Sequence, residues 1–414
     1  MVIEGKKMKV ERCKGMRDLF PADMEKFRFI NDIFRDSCYK WGYEEVRTPT
    51  LEYLHLFTSA GTLTPGMLGK VYSFLDWDGW SGERVVLRPD ATIPVARVYT
   101  ESMSDRELAK LFYIVNTFIF EETGKSNREK WQFGAELIGM GSPMADVELI
   151  TLALEVLKRL GLEGIELRLS HAGLTRGILQ KLNLNTEEQH RIFGRLLDGD
   201  AAALSQIKSE KPELAPLLEL QGKSPGFIKN LASSLALDLS GLEPQIDDFV
   251  FIADTLQSLG HRYQIDIASV RGFEYYTGVI SQFFINDEKI GGGGRYDALI
   301  PAMSGQDTPA SGFALYPDLL MKLIEPSALP RSSMPRVLVK MDPDAVRLGF
   351  DAAGILRKAG FIVKLHLGGK GPADIFWRLD VRSQTPRFVL NNLSIPEKYE
   401  FNSPEEIVEK LQQR

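Results

Sequence analysis

The apolar residues of the N-terminal part of the chain fall into helix-spaced stripes and short runs. Two amphipathic helices are predicted, from about Ala22 to Trp41 and from Ala145 to Leu160, because apolar residues recur there every three or four positions. The short runs, bounded by Gly, Pro or Asp, predict strands: Tyr43–Pro49, Val71–Trp77, Val85–Arg88, Leu111–Phe120, Trp131–Met140 and Ile165–Leu169. Because hairpin connections join neighbouring strands, the order favours an α+β domain with a largely antiparallel sheet over a doubly wound parallel one.

The pattern changes in the middle of the chain. Residues 174–260 are rich in Leu, Glu, Lys and Gln and predict a helical insertion of several short helices. Strands return at Tyr263–Val270, Thr277–Phe284 and near Ser311–Leu315. The insertion is therefore expected to interrupt a sheet that resumes after it, which divides this part into 1–173, 174–260 and 261–326.

A small α/β domain is predicted at 335–414, after a linker at Ser327–Pro335. Its first strand is expected at Arg336–Met341, with Asp342 as the N-cap of the next helix and Pro343 at its first position. The buried stripe of that helix is predicted to be Val346, Phe350, Ala353 and Leu356. Phe361–Leu367 is predicted as the following strand, and Ser403-Pro404 as the start of a last helix.

Composition narrows the class of protein without identifying it. Hydrophobic residues make up 44% and charged residues 26%, and the formal net charge is −6. That charge argues against a nucleic-acid binder, since phosphate contacts require Lys and Arg. Two cysteines and five scattered histidines give no disulfide framework and no metal-ligand spacing. With no apolar run near the roughly 20 residues that span a bilayer and no signal-peptide core, a cytoplasmic protein without a membrane segment is expected.

Four consecutive glycines, Gly291–Gly294, could suggest a phosphate-binding loop. They are followed by Arg295-Tyr296-Asp297, however, not by the Gly-Lys-Ser/Thr of a P-loop, and no Rossmann pattern surrounds them. A tight turn with positive φ and close backbone approach is the favoured interpretation.

Two strand segments carry polar side chains at positions that could form a ligand site. Gln132 and Glu136 are spaced to lie on one face of a strand. In SVRGFEYYTG (269–278), Arg271 and Tyr275 fall on one face and Tyr276 on the other. Arg can bind a carboxylate in bidentate fashion and Tyr offers a flat wall with a hydroxyl, although a surface ion pair and core packing would explain the same residues.

Several motifs together resemble those of the histidyl-tRNA synthetase family. In order they are GMRDLFP (15–21), YEEVRTP (43–49), LRPDAT (87–92), FIFEE…WQFGAELIG (118–139), SVRGFEYYTG (269–278) and GGGGRYDAL (291–299). The resemblance implies the class II synthetase fold, an antiparallel sheet flanked by helices with a helical insertion, and a homodimer formed through this domain.

The resemblance also implies a pocket for histidine or a histidine-like ligand. Asp90 and Thr92 would face the ammonium group, and Gln132 and Glu136 would read the imidazole or amino group. Arg271, Tyr276 and Tyr296 would lie on the opposite side of the pocket and contact the carboxylate and the imidazole of the ligand. The complete implied set is Asp90, Thr92, Gln132, Glu136, Arg271, Tyr275, Tyr276 and Tyr296.

The resemblance is incomplete where ATP would bind. Two arginines that hold ATP phosphates in the family are replaced, one by Ile119 and the other by Leu319. Losing both should reduce the rate of amino-acid activation by several orders of magnitude. The segment Ala373–Leu390 also resembles an anticodon-binding domain only weakly, so tRNA is not expected as a partner.

Three functions remain compatible with these residues. One is an active histidine–tRNA ligase, and another is a paralogue that activates a different amino acid. The favoured function is that of the non-catalytic relatives of the family, the regulatory subunits of ATP phosphoribosyltransferase, which pair with a short-form catalytic subunit in the first step of histidine biosynthesis. This function implies no catalytic residue, no cofactor and no metal, with histidine as feedback effector.

Overall fold

The computed structural model describes residues 10–59, 68–77, 82–120, 127–181, 209, 221–235, 237–267, 276–329, 335–369 and 375–413. The chain forms two compact units, Met1–Leu329 and Pro330–Arg414. The finer division of the first unit around 174–260 stays a prediction.

A nine-stranded sheet organises the first unit. Its strands are β1 (Glu44–Glu45), β5 (Ala109–Phe118), β6 (Glu129–Ile138), β7 (Glu166–His171), β8 (Gln221–Gly222), β9 (Tyr263–Asp266), β10 (Val279–Ile285), β11 (Glu288–Arg295) and β12 (Ala310–Leu315). In space they follow the order β1-β5-β6-β12-β11-β10-β7-β9-β8. Pairing is antiparallel except for β1 with β5 and β7 with β9. The expected α+β topology with a largely antiparallel sheet is confirmed.

The helices of this unit lie on both faces of the sheet. They are α1 (Pro21–Lys40), α2 (Leu54–Ser59), α3 (Thr92–Ser102), α4 (Pro143–Arg159), α5 (Ala172–Lys181), α6 (Pro225–Lys229), α7 (Leu231–Leu235), α8 (Glu243–Ser258), α9 (Leu299–Ser304) and α10 (Pro317–Leu323), with a 3₁₀ turn at Pro326–Ala328. Helices α1, α4 and α8 bury their apolar stripes with one face of the sheet in the larger core. Helices α3 and α9 pack on the opposite face, in a smaller core beside the candidate site. No described helix is both long and apolar enough to cross a membrane.

A separate three-stranded sheet consists of β2 (Leu51–Tyr53), β4 (Gly82–Leu87) and β3 (Ser73–Trp77), in that spatial order. Strands β3 and β4 pair in antiparallel fashion, as expected for two strands joined by a tight connection. The connection itself, predicted around Asp78–Gly82, lies mostly outside the described residues. The strand predicted at Tyr43–Pro49 is shorter than expected. At the far end of this segment the guanidinium of Arg88 donates to the carbonyls of Thr48 and Pro49, which therefore do not join a β ladder.

Two further expectations for this unit need correction. Gly291–Gly294 do not form a turn with positive φ, because they lie inside strand β11. The region 174–260 is not purely helical, since Gln221–Gly222 adds a strand to the edge of the sheet. Residues 182–208, 210–220 and 236 of the predicted insertion lie outside the described residues.

The second unit contains a five-stranded sheet with two helices. The strands are β13 (Arg336–Met341), β14 (Ile362–Leu365), β15 (Trp377–Val381), β16 (Phe388–Asn392) and β17 (Lys398–Phe401), ordered β14-β13-β15-β16-β17, and the helices are α11 (Val346–Lys358) and α12 (Pro404–Gln412). The expected parallel start is confirmed, because β13 and β14 flank α11 and pair in parallel. Ser403 caps α12 as expected by accepting from the amide of Glu406.

The predictions for helix α11 are partly wrong. The helix begins at Val346, not after Asp342, whose amide is held by the carbonyl of Val381 on β15. Val346 and Phe350 are 45% and 52% exposed. The buried face consists of Gly349, Ala352, Ala353 and Leu356. Small residues allow the helix to approach the sheet closely, and a Cβ at Gly349 would lie 2.9 Å from the sulfur of Met341.

Candidate functional site

Small residues form the floor of the candidate site on one face of the nine-stranded sheet. The strand register places five of them side by side: Gly134, Gly292, Gly294, Gly312 and Ala314. A Cβ at Gly134 would collide with the ring of Tyr113, and one at Gly312 would collide with the carboxylate of Glu136. These glycines are required for close approach within strands, because larger side chains would fill the space that the polar groups occupy.

Glu136 lies at the centre of the site and is 1% exposed. Its Oε1 accepts hydrogen bonds from Thr92 at 2.9 Å and from Tyr113 at 3.1 Å. Its Oε2 accepts from the hydroxyl of Tyr296 at 2.5 Å. Burial raises the pKa of Glu136 to about 8, although these three hydroxyl groups favour the ionised form.

Asp90 and Gln132 provide unsatisfied polar atoms next to Glu136. Asp90 Oδ1 accepts from the amide of Ile93, 3.1 Å away, at the start of α3. The side chain of Gln132 lies against Asp90 and favours its ionised form. Asp90 Oδ2 and Gln132 Oε1 are nevertheless buried and have no hydrogen bond of normal geometry. Burial raises the pKa of Asp90 to about 6. Since buried polar atoms are normally paired, these two oxygens indicate a place for a ligand that donates hydrogen bonds.

A cavity of about 860 Å³ opens beside these oxygens. Asp90 and Gln132 form part of its wall, together with Trp131 and Tyr316. Burial raises the pKa of Tyr316 to about 12, so that its hydroxyl stays protonated and can donate to a ligand. The residues around the rest of the wall are Gly15, Arg17, Pro89, Thr117, Ile119, Asn127, Lys130, Glu288, Lys289, Asp318, Leu319 and Lys322.

The two positions at which the family resemblance breaks down line this same cavity. Ile119 follows strand β5 and Leu319 lies in α10, yet both contribute to the wall. Arg17 also lines the cavity, but its guanidinium pairs with Asp318, which in turn accepts from the amide of Trp131 at 2.7 Å. Asp318 thereby links the N-terminal segment to strand β6.

The structure brings together five of the eight residues implied for the pocket. Asp90 and Gln132 line the cavity, and Thr92, Glu136 and Tyr296 form the hydrogen-bonded cluster behind them. A sixth residue, Tyr276, is buried in the adjacent core, where a Cβ at Gly294 would lie 3.0 Å from its ring. Arg271 and Tyr275 lie outside the described residues.

Sequence reasoning missed Tyr113 and Tyr316. Tyr113 lies in an apolar run and gives no signal of its own, but it faces Gly134 across the β5–β6 pair. Tyr316 follows strand β12 directly, at the C-terminal end of a glycine-containing segment. The position of Tyr316 at the end of a strand could have marked it as a site residue. No such signal exists for Tyr113, because its contact with Glu136 depends on the register between strands.

Arg88 and Arg295 belong to two of the quoted motifs and have structural roles. Arg295 forms a buried ion pair with Asp146 at 2.8 Å, and it also donates to the carbonyls of Met140 and Ser142. This pairing fixes the start of α4 to the end of β11, next to Tyr296. Arg88 joins the end of β4 to β5 through the carbonyl of Asn116. Among the described residues, no group of three His, Cys, Asp or Glu side chains could hold a metal ion.

Comparison with known proteins agrees with this geometry. The family model described as histidyl-tRNA synthetase matches residues 15–320. A protein from Dehalococcoides mccartyi (strain BAV1) named ATP phosphoribosyltransferase regulatory subunit is 52% identical over 379 residues, which is 91% of this chain and 92% of that protein. The chain belongs to the ATP phosphoribosyltransferase regulatory subunits, a branch of the histidyl-tRNA synthetase family.

More distant members of the family are synthetases. A protein named histidine–tRNA ligase from Methanocaldococcus jannaschii is 32% identical, over 87% of this chain and 86% of that protein. A crystal structure described as an ATP phosphoribosyltransferase regulatory subunit/histidyl-tRNA synthetase from Bacillus halodurans matches with a TM-score of 0.74 and 26% identity, covering 89% of this chain and 96% of the other. Histidyl-tRNA synthetase from Nostoc sp. PCC 7120 shares the fold, with a TM-score of 0.77 at 17% identity over 99% of this chain and 100% of the other. The class II synthetase-like fold implied by the motifs is therefore confirmed, and the naming of the regulatory subunits supports a non-catalytic role.

Proposed function

We propose that this chain is a non-catalytic regulatory subunit that pairs with a short-form ATP phosphoribosyltransferase catalytic subunit in the first step of histidine biosynthesis. Histidine is its feedback effector. The observation that carries this proposal is the composition of the cavity wall. Asp90 and Gln132 contribute polar groups to this wall. Ile119 and Leu319, which the motif resemblance aligns with phosphate-binding arginines, contribute hydrocarbon side chains to the same wall.

The energetic argument concerns the two missing guanidinium groups. A hydrogen bond to a charged group contributes about 1.5–3 kcal/mol, and its effect on a phosphate-transfer transition state is usually larger in a water-excluded site. Ile119 and Leu319 offer only hydrocarbon to the cavity. Amino-acid activation would therefore lose two stabilising contacts at once, whereas binding of a free amino acid would lose none.

Regulation would follow from a difference in affinity between two assembly states. A ligand shifts such an equilibrium only by as much as it prefers one state. Histidine at Asp90, Gln132 and Glu136 would contact residues of α3 and β6, and its binding would favour the less active assembly. The charge of −6 and the weak likeness of the second unit to an anticodon-binding domain support a function without tRNA. Two free cysteines fit a reducing cytoplasm.

A homodimer is proposed to form through the outward face of the three-stranded sheet. Residues in register share a face, and Tyr53, Val85 and Phe74 lie side by side there next to Leu51 and Leu87. Leu51, Tyr53 and Phe74 are exposed, which is unusual for adjoining apolar side chains on a monomer. A second copy placed on this face would remove them from water.

Two assays run side by side test the proposed function. ATP–pyrophosphate exchange with histidine should be absent, and addition of the chain to a short-form catalytic subunit should raise transferase activity in a histidine-reversible manner. Robust exchange would instead establish a ligase. Absence of any effect on the catalytic subunit would rule out the regulatory function.

A further inference from the structure

The motif GMRDLFP (15–21) contributes two residues to the wall of the cavity. Gly15 and Arg17 line it together with Asp90 and Gln132. Both belong to residues 10–20, the N-terminal segment, which runs to the start of α1 without forming a helix or a strand. One part of the cavity wall is therefore held in place by contacts of individual residues and not by a β ladder or a helix.

The first of these contacts is a backbone hydrogen bond. The carbonyl of Gly15 accepts from the amide of Arg128 at 2.9 Å, and the carbonyl of Arg128 accepts from the amide of Ile119 at 2.9 Å, just after β5. The φ of Gly15 is +79°, and a Cβ there would lie 2.7 Å from the side chain of Arg128. Glycine is required at this position by the backbone conformation and by the close approach.

The second contact is the ion pair between Arg17 and Asp318. The two side chains are 27% and 12% exposed, so water and salt screen their attraction less than that of an exposed pair. The other carboxylate oxygen of Asp318 accepts from the amide of Trp131 at 2.7 Å. Trp131 precedes Gln132, whose buried Oε1 has no hydrogen bond of normal geometry. Asp318 thus connects Arg17 to the backbone next to a side chain that faces the ligand.

We propose that Arg17 is a positioning residue for the ligand site. Through Asp318 it fixes the backbone at Trp131 and so the side chain of Gln132, and histidine binding in turn stabilises the attachment of the N-terminal segment. Two events that favour the same arrangement strengthen each other by the same factor. The inference rests on the proposed function in one respect, that histidine is the ligand. It adds that effector binding changes how tightly the N-terminal segment is attached.

The charge of Asp318 explains how the loss of Arg17 reaches the ligand site. Without the guanidinium, this largely buried carboxylate would lose the cation that pairs with it here. A buried carboxylate in that position moves toward water or takes up a proton. Either change weakens its hydrogen bond with the amide of Trp131, and the start of strand β6 loses a fixed point at the cavity wall.

Isothermal titration calorimetry of the full chain with histidine tests this role. Arg17→Ala should raise the dissociation constant about fivefold or more, the range of coupling between linked sites. Arg17→Lys keeps the positive charge and should recover most of the affinity. Arg12→Ala is the matched control, because Arg12 lies in the same segment and pairs with Asp18 at 3.2 Å, with both side chains exposed. Its affinity should equal that of the unaltered chain.

The outcomes of this titration separate the two proposals. Unaltered affinity in Arg17→Ala, or an equal loss of affinity in Arg12→Ala, would overturn the role of Arg17 while leaving histidine as the effector. Absence of histidine binding to the unaltered chain would overturn both.

Hydrogen exchange of the unaltered chain separates coupling from a purely structural role. Saturating histidine should slow the exchange of the Arg128 and Trp131 amides about fivefold, because these amides are bonded to Gly15 and Asp318. The amide of Glu406, bonded to Ser403 in the second unit, is the control and should exchange at one rate with and without histidine. Exchange of the Arg128 and Trp131 amides that histidine leaves unchanged would contradict the coupling, whatever the stability of the variants.

Discussion

The hydroxyl group of Tyr296 lies 2.5 Å from Oε2 of Glu136, although 160 positions separate the two residues. Glu136 belongs to strand β6, and Tyr296 follows β11, on the far side of the region predicted as an insertion. Strand β12 lies between them in the sheet. The candidate pocket is thus formed only when both parts of the nine-stranded sheet are in register.

The Gly312→Ala variant should lose ligand binding. The added Cβ would overlap the carboxylate of Glu136 and lie 2.9 Å from the carbonyl of Ala135. Forced repacking of a buried site typically costs about 1–3 kcal/mol of stability. Histidine affinity should fall at least about tenfold, because losing one hydrogen bond to a charged group costs about 1.5–3 kcal/mol. Urea unfolding and calorimetry measure the two effects. Gly354→Ala, inside helix α11 where a Cβ meets nothing within 4 Å, is the control. It should leave histidine affinity unchanged and raise stability by about 0.5–1 kcal/mol, as Ala in place of Gly does in a helix interior.

Arginines placed at the two altered cavity positions should improve ATP binding. Each of Ile119→Arg and Leu319→Arg would add a guanidinium group to the wall, worth about 1.5–3 kcal/mol per charge-assisted hydrogen bond. The dissociation constant for ATP, measured by calorimetry, should fall in the double variant by at least an order of magnitude. Ile119→Gln with Leu319→Gln controls for polarity without charge. Equal affinities in the two double variants would mean that these positions do not face phosphate.

Stability of the ligand-free chain should decrease as pH rises from about 6.5 to 8. The folded pKa of Glu136 is raised to about 8, so over this interval the folded state holds a proton that the unfolded state has lost. The free energy of unfolding from urea titrations should therefore fall with pH. Glu136→Gln should flatten this part of the profile, and an equally steep profile in that variant would assign the effect to Asp90 or another group.

His171 should make the free energy of unfolding depend on pH in the opposite sense, and at lower pH. Burial lowers its pKa to about 4, and its Nδ1 accepts from the amide of Leu174 at 3.1 Å. Between about pH 6.5 and 4 the unfolded state binds a proton at His171 that the folded state does not bind, so His171 contributes a loss of stability on acidification, opposed to the Glu136 contribution. His171→Asn should remove this dependence in urea titrations. An equally steep loss of stability below about pH 6.5 in His171→Asn would assign the effect to another group.

The outward face of the three-stranded sheet should control the oligomeric state. Phe74→Asp places a charge among Tyr53, Val85 and Phe74, which pair in register, and burial of an unpaired charge at an interface is costly. Sedimentation velocity should show a dimer for the unaltered chain and a monomer for the variant. Leu367→Asp, at a residue 91% exposed in the other unit, should remain dimeric. A dimer that survives Phe74→Asp would place the interface elsewhere.

The local spacing of apolar residues was sufficient to predict most of the helices and strands. The helix predicted from Ala22 to Trp41 is observed at Pro21–Lys40, and the strands around Leu111–Phe120 and Trp131–Met140 are displaced by only two residues. Periodicity failed where a second contact decides the conformation. The segment Thr48–Pro49 does not join a strand because its carbonyl groups accept hydrogen bonds from Arg88. Helix α11 packs a different face against its sheet because small residues allow closer packing.

Alternation along one strand was enough to predict that Gln132 and Glu136 share a face, and the family motifs added Asp90, Thr92 and Tyr296. The folded structure was needed to show that Tyr113 and Tyr316 belong to the site, that Gly291–Gly294 lie in a strand, and that Ile119 and Leu319 line one cavity. The difference arises because side-chain alternation is a property of a single strand. Contacts between side chains on different strands depend on the register of strands that are distant in the chain. Local spacing in the sequence does not determine that register.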